Sequence, residues 1–386
     1  MKKISLIGCT GSIGRQAIEV ALANSDKFKI VAMAADSSYK LFEEQINAVK
    51  PKFCALADEE AGKKVVEVPP GTTFACGKEA ALAAASYEEA DVVLVAASGF
   101  AGLRYSLAAI RAGKTLALAN KETLVCGGDI VMPLAREKGV AVVPVDSEHS
   151  AIWQCLDFNS ERPFRRLIIT ASGGAFRNST PEQLKNVTPA MALAHPTWNM
   201  GAKITVDSAT LLNKGFEIIE AHHLFGADYG AITPVIHPQS IVHSMVEFTD
   251  GAILAQLSFP TMKLPIQLAL TYPQRLPLKG AGLDFSKALS LEFSPLEGGR
   301  FPCFDLATEC ARAGGTLPCA LNAAGEVAVR AFLSGGLSFC DIPVAMRAAL
   351  EGERAEKVES YEGLKEVDLR VRAAAKAAVL RLSGGR

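Results

Sequence analysis

Within the stretch VDSATLLNKGFEIIEAHHLF (206–225), Asn213, Lys214 and Glu217 fall within about one helical turn. Asn213 and Glu217 are four residues apart and Lys214 precedes Glu217 by three, so amide, ammonium and carboxylate share one face of a helix. A surface ion pair between Lys214 and Glu217 would explain those two residues but not the adjoining Ser208 and Asn213. A carboxylate suits a hard cation. A second cluster lies in PVDSEHSAI, where Asp146 and Glu148 stand two apart after an apolar run. On a strand that spacing sends both side chains to one face. Two close carboxylates repel unless a proton or cation lies between them, and oxygen ligands favour Mg²⁺ or Mn²⁺. Solvated loop acids are the plain alternative for this pair, and Glu217 is the third carboxylate that argues against it. Ser172, ahead of two glycines in SGGAF, offers a further place for an anion. All six histidines (His149, His195, His222, His223, His237 and His243) lie in this middle region; a catalytic domain explains the clustering, and chance with core or capping roles for most is the plain alternative.

The chain starts with a different chemistry. GCTGSIG places Gly8, Gly11 and Gly14 between a short apolar strand and a helix. Glycines permit a tight turn and close backbone approach, and the free N–H groups of a helix start can hold a pyrophosphate. The spacing is GxxGxxG rather than GxGxxG, so the signal rests on the strand–loop–helix order. Asp36 closes the second strand, followed by Ser37. A carboxylate there can accept hydrogen bonds from ribose hydroxyls and repel a 2′-phosphate, which points to NAD(H). A solvated turn aspartate in ADSS is the competing reading.

These groups need a scaffold, and the hydrophobic pattern supplies one. Apolar runs at 4–8, 28–35, 52–58, 91–98 and 115–120 alternate with helical segments such as 15–23, 41–50 and 101–112. This alternation predicts an α/β fold with a Rossmann-like, doubly wound parallel sheet. After about residue 145 the rhythm becomes α+β, with a β-hairpin over 240–259 turning at Asp250-Gly251. FSPLEGGRFPCF (293–304) reads as a linker. Beyond it the pattern is helical, and Leu364, Val367, Val371, Ala374, Ala378 and Leu382 recur as one apolar face.

Bulk composition limits the function classes. At 386 residues the chain is long for one core, and 49% hydrophobic content excludes a disordered chain. A net charge of −1 gives no global field for nucleic acid or an acidic membrane. The opening MKKISLIGCTG is too short in apolar residues for a signal peptide, and no run approaches a membrane span. Nine cysteines without a CxxC pair fit reduced thiols and a cytoplasmic setting.

The blocks GCTGSIG, LANKETLV (118–125), VDSEHSAI (145–152), ASGGAFR (171–177), HPTWNMGAKITVDSATLLNKGFEIIEAHHLF (195–225) and IHPQSIVHSMVEF (236–248) occur in one order. In these blocks the chain resembles the 1-deoxy-D-xylulose 5-phosphate reductoisomerases along its whole length. The resemblance implies rearrangement of that sugar phosphate, by retro-aldol/aldol steps or a ketol shift. Reduction by a nicotinamide hydride to 2-C-methyl-D-erythritol 4-phosphate follows, in the methylerythritol phosphate route to isoprenoids. It also implies a homodimer, a divalent metal (Mg²⁺, Mn²⁺ or Co²⁺), NADPH and three domains. These are a cofactor domain over 1–146, a catalytic domain with a flap over 147–292 and, after the linker, a helical domain over 305–386.

Residue by residue, the resemblance assigns Asp146, Glu148 and Glu217 to the metal and places His149 beside them. Ser172, Ser208, Asn213 and Lys214 match the phosphate group. Ser147, Glu148 and Lys121 match substrate contacts, with Lys121 among the catalytic residues. His195, Trp198 and Met200 match a flap closing over the substrate. Thr10, Gly11, Ser12, Ile13, Asn120, Glu122 and Gly201 match cofactor contacts, beside Gly8 and Gly14. Cys9 replaces the usual serine of the loop. ADSS (35–38) stands where the family has glycine and then basic or small polar residues, so Asp36 and Ser37 point to NADH use or preference. The rival readings are a metal-free semialdehyde or polyol dehydrogenase, which leaves three carboxylates idle, and a non-catalytic sugar-phosphate sensor.

Overall fold

The structure, a computed structural model, describes residues 1–159, 161–194, 197–198, 200–278, 280 and 282–384. It divides into two compact units. The first comprises Met1–Thr123, Val131–Ser150 and Thr261–Lys279; the second comprises Leu124–Ile130, Ala151–Pro260 and Gly280–Arg386.

The first unit alternates strand and helix: β1 (Lys2–Ile7), α1 (Ser12–Ala23), β2 (Phe28–Ala35), α2 (Tyr39–Val49), β3 (Phe53–Leu56), α3 (Glu59–Gly62) and β4 (Thr73–Cys76). Then come α4 (Lys78–Ala85), β5 (Val92–Val95), α5 (Ala101–Arg111), β6 (Thr115–Leu118), α6 (Glu122–Lys138), β7 (Val142–Pro144) and the start of α7 (Ser147–Cys155). The strands form one parallel sheet in the order β4-β3-β2-β1-β5-β6-β7. Residues from both faces of the central strands are buried, including Ile4, Leu6, Val31, Met33, Val93 and Leu94. Burial on both faces explains why these strands read as unbroken apolar runs. The expected doubly wound sheet is present. Four-residue elements such as α3 and β4 are too short to show a period and are not legible in the sequence. Chain order reverses at β1, so the crevice beyond the carboxyl ends of β1 and β5 is the topological switch point. A later helix, α12 (Lys263–Thr271), returns to this unit, where Lys263 pairs with Glu19 at 2.6 Å and Gln267 accepts from Asn24 at 3.4 Å.

The second unit is built on a sheet of β8 (Arg166–Ala171), β9 (Ile232–Ile236), β10 (Val242–Glu247), β11 (Ile253–Leu257) and β12 (Ser294–Pro295). Their order is β11-β10-β8-β9-β12, with β8 and β9 parallel and the other pairs antiparallel. β10 and β11 form the expected hairpin. Gly251 has φ +88° in its turn, and Asp250 accepts from the Ala252 amide at 2.9 Å. Short helices α8 (Pro181–Leu184) and α9 (Pro189–Leu193) precede α10 (Ala202–Ala209) and α11 (Leu212–Phe225). The single helix expected over 206–225 is therefore two. Leu211, with φ 56° and 2% exposed, separates them, and its side chain joins a core of Ala171, Ile236 and Phe301.

Helices α13 (Pro302–Ala313), α14 (Leu317–Leu333), α15 (Ile342–Leu350) and α16 (Tyr361–Ser383) complete the unit. Leu364, Val367, Val371, Ala375 and Ala378 are the buried face of α16, with Ala375 in place of the expected Ala374. The expected linker at 293–304 is tied down at both ends. β12 pairs with β9, and Leu296, Phe301 and Phe304 pack on Ala171, Leu211 and Ile236. The helices of the predicted third domain group with the second sheet because α11 packs on α13. Gly215 allows that approach, since a Cβ there would strike the Ala307 side chain.

Candidate functional site

In the first unit the glycine loop joins β1 to α1 at the switch point. Gly8 has φ +84°, and a Cβ on it would lie 2.6 Å from the Ala96 carbonyl and the Ala97 amide at the end of β5. A Cβ on Gly14 would strike Gly8 and Cys9. These two glycines bring loop, strand and helix together, while the exposed Gly11 precedes α1 without a side-chain cap. Thr10, Ser12 and Ile13 are half-buried in the same loop and first turn. The first amides of a twelve-residue helix thus stand uncapped at the crevice, as a pyrophosphate requires.

Asn120 is buried and bonded to the loops around it. Its amide donates to Gly99 O at 3.1 Å and Glu122 Oε2 at 2.8 Å, and its Oδ1 accepts from Thr123 N and Oγ1 at 2.9 and 2.6 Å. A Cβ on Gly102 would collide with it. Asn120 and Glu122 therefore fasten the loops following β5 and β6.

The ion-pairing chemistry of this unit centres on Asp146. Lys121 Nζ donates to Asp146 Oδ2, and both side chains are buried. His149 is fully buried, with Nδ1 3.7 Å from Asp146 Oδ1. Burial alone would raise the Asp146 carboxyl, but Lys121, His149 and Glu148 hold it well below the usual carboxylate range, so it stays ionised. The expected strand alternation of Asp146 and Glu148 is not what joins them. β7 ends at Pro144 and α7 begins at Ser147, so Glu148 lies in a helical first turn and its amide donates to Asp146 Oδ1 at 3.4 Å. A helix start also favours negative charge. Ser147 Oγ donates to Glu148 Oε2 at 2.6 Å.

The second unit holds the phosphate candidates. Asn213 and Lys214 both donate to the Glu217 carboxylate from the first turn of α11, and Lys214 and Glu217 are buried. Ser208 belongs to α10, one break earlier. Ser172 follows β8 and accepts from the Gly174 amide at 3.2 Å. Gly174, at φ +69°, touches the end of α10, where a Cβ would stand 2.6 Å from Ser208 O and 2.8 Å from Ala209 Cα. The SGG loop and the break between α10 and α11 thus bring Ser172 and Ser208 to one end of α10. Lys203 and Asp207, absent from the sequence reading, brace this helix at 2.6 Å; their i,i+4 spacing was the available signal.

The clustered histidines divide by role. His237 Nε2 accepts from the Ile241 and Val242 amides, each at 3.1 Å, and Nδ1 faces Glu292 O at 2.8 Å. These bonds fix the ring's orientation, and the ring holds a loop. His222 Nδ1 meets Ala227 O at 2.7 Å, His243 Nε2 meets Ser258 Oγ at 2.9 Å, and burial beside His222 pushes His223 down to about 4. Most of the cluster therefore maintains the fold rather than forming one catalytic group. Trp198 of the expected flap lies edge-on to His243 at 6.1 Å, and Met200 is half-buried. Gly201 precedes α10. His195 lies outside the described residues.

A parallel sheet with a glycine-rich loop at its switch point, joined in one chain to a second unit on a mixed sheet, is the architecture of a nucleotide-dependent enzyme. Family profiles match three stretches: the 1-deoxy-D-xylulose 5-phosphate reductoisomerase profile over 4–128 and two C-terminal-domain profiles of that enzyme over 142–225 and 257–374. The chain is 49% identical over 370 residues to 1-deoxy-D-xylulose 5-phosphate reductoisomerase of Pelotomaculum thermopropionicum, covering 95% of each chain. It is 48% identical over 377 residues to that of Exiguobacterium sibiricum, covering 97% of this chain and 98% of the relative. Among solved structures, the Zymomonas mobilis enzyme in complex with NADPH superposes with a TM-score of 0.90 at 38% identity, over 98% of this chain and 99% of that one. A reductoisomerase in complex with NADPH, fosmidomycin and magnesium gives 0.92 at 36% identity, over 98% of each chain. The chain belongs to the 1-deoxy-D-xylulose 5-phosphate reductoisomerase family.

Proposed function

We propose that this protein converts 1-deoxy-D-xylulose 5-phosphate to 2-C-methyl-D-erythritol 4-phosphate with NADPH and a divalent metal, and that it works as a cytoplasmic homodimer. Asp146, Glu148 and Glu217 are the proposed metal ligands. Ser172, Ser208, Asn213 and Lys214 are proposed to bind the phosphate, while Lys121 and Ser147 contact the sugar.

The observation that carries this reading is the state of two buried carboxylates. Asp146 is closed by the Lys121 ammonium, and Glu217 by Lys214 and Asn213. A buried carboxylate requires positive charge or strong donors beside it. A divalent cation on either carboxylate would take over that charge, freeing the lysine beside it, Lys121 for the substrate or Lys214 for its phosphate. The donor set is all oxygen, which suits Mg²⁺ or Mn²⁺. When bound, the metal stabilises negative charge developing on substrate oxygens, and NADPH supplies the hydride.

The remaining work belongs to the chain's own groups. Asn213 and Lys214 hold the phosphate end, whose binding energy helps draw the flap inward. Trp198 shields the reacting carbons from water. His149, buried against Asp146, orients that carboxylate. The glycine loop fits the cofactor because a side chain at Gly8 or Gly14 would fill the approach of loop to strand.

The test is oxidation of reduced nicotinamide on adding the substrate and Mg²⁺. Turnover that a chelator abolishes and Mn²⁺ restores supports the reading, whereas chelator-resistant turnover would favour a metal-free dehydrogenase. For the dimer, the supporting feature is β11. This edge strand pairs with β10 and exposes Ile253, Leu254 and Leu257, with Phe259 just beyond. Exposed apolar edges are normally covered.

A further inference from the structure

We propose that Asp36 opens the cofactor site to NADH, by accepting the adenosine ribose hydroxyls and opposing a 2′-phosphate; this rests on the reductoisomerase reading above. Its position is set by the sheet. β1 and β2 are neighbours in parallel register, and the Gly8 and Cys9 amides both donate to Ala34 O, at 2.8 and 3.1 Å. The glycine loop is therefore bonded to the strand end only two residues before Asp36. On the other side the Ala57 amide donates to Ala35 O at 2.9 Å and the Asp58 amide to Asp36 O at 3.0 Å. The main chain at Asp36 is thus held at the carboxyl end of β2, beside the loop that receives the pyrophosphate. In a doubly wound nucleotide fold the adenosine ribose reaches this strand end.

The residue at the strand end itself is anionic. Asp36 is exposed, and among the described residues its carboxylate has no ion pair. The following Ser37 and Ser38 are exposed and neutral. Asp58 adds a second carboxylate nearby in the chain fold, engaged with the Ala61 amide at 2.8 Å as the cap of α3. Two lysines border this segment: Lys40, four residues on, is exposed, and Lys64 Nζ sits over the Tyr39 ring, 5.6 Å from its centroid. A 2′-phosphate dianion would meet one carboxylate and two hydroxyls, with no guanidinium fork to receive it. Two ribose hydroxyls would find an acceptor that needs no rearrangement. NADPH still binds through its pyrophosphate and nicotinamide, so the effect falls on the ratio between the two nucleotides.

The experiment measures dissociation constants by calorimetry for NADH, NADPH, 5′-AMP and adenosine 2′,5′-bisphosphate, on the wild type and on Asp36→Asn and Asp36→Glu. The wild type is expected to bind NADH at least as tightly as NADPH, and 5′-AMP at least as tightly as the bisphosphate. Asp36→Asn should shift both ratios by roughly tenfold or more toward the 2′-phosphorylated ligand, while Asp36→Glu keeps them near wild type. Ratios that favour the 2′-phosphate in the wild type and do not move in Asp36→Asn overturn the proposal. Turnover is read separately: its absence with both nucleotides sinks the reductoisomerase reading, whereas unmoved binding ratios sink only the role of Asp36.

Discussion

At the scale of single residues, Lys214 and Glu217 are one buried pair for which two distinct duties are proposed. Removing the Glu217 charge while keeping its shape separates them. Glu217→Gln should fold normally yet lose more activity than the roughly 10–100-fold typical of residues that only support a metal ligand. Turnover followed across a Mn²⁺ titration checks this, and near-wild-type rates at ordinary metal concentration would remove Glu217 from the metal set. Lys214→Ala should instead weaken a phosphonate mimic of the substrate by about 2–4 kcal/mol, the scale of a lost charge-assisted bond. An unchanged affinity by calorimetry would confine Lys214 to neutralising Glu217, with which it pairs in the structure.

At the scale of elements, α11 does more than carry the site, because its last turn is also a pH-sensitive joint. The His223 ring lies against Gly128 of α6, where no Cβ could fit, and edge-on to His222 at 5.0 Å. Burial, with His222 beside it, lowers His223 from an ordinary 6.5 to about 4. The unfolded chain therefore takes up this proton below about pH 6.5, while the native ring stays neutral until about pH 4. Native stability from this group is complete above pH 6.5 and is lost as pH falls through that window, by up to about 3 kcal/mol. Thermal unfolding from pH 7 to 4 should decline less steeply in His223→Gln than in the wild type. Parallel declines would show that His223 does not stay neutral in the native state.

At the scale of the whole molecule, the two units differ in how they finish their sheets. The first sheet is covered by the helices of its alternating connections, whereas the second ends in β11, with Ile253 at 50%, Leu254 at 48% and Phe259 at 56% exposure. A second copy pairing antiparallel along this edge would bury those side chains symmetrically. Light scattering is expected to give twice the 40.8 kDa chain mass for the wild type, and Leu254→Lys should shift it toward the single chain. An unaltered dimer in that variant would place the interface elsewhere. No described helix is long and apolar enough to cross a membrane.

The sequence by itself determined the kinds of chemistry and the class of fold. Carboxylates at 146, 148 and 217, donors at 208, 213 and 214, and glycines at 8, 11 and 14 were all legible, because residue type and short spacing are local properties. So was the parallel sheet, whose buried strands announce themselves as apolar runs. Only the tertiary structure decided how those groups are supported. The helix over 206–225 breaks because Leu211 is drawn into a core with Ala171, Ile236 and Phe301, residues far away in the chain. Asp146 and Glu148 meet at the start of α7 rather than along a strand, because β7 is only three residues long. Asn120 spends its hydrogen bonds on Gly99, Glu122 and Thr123, and four of the histidines go to the fold. A sequence states which donors and acceptors exist; which partner satisfies each one depends on contacts made across long chain separations, and those exist only once the chain has packed.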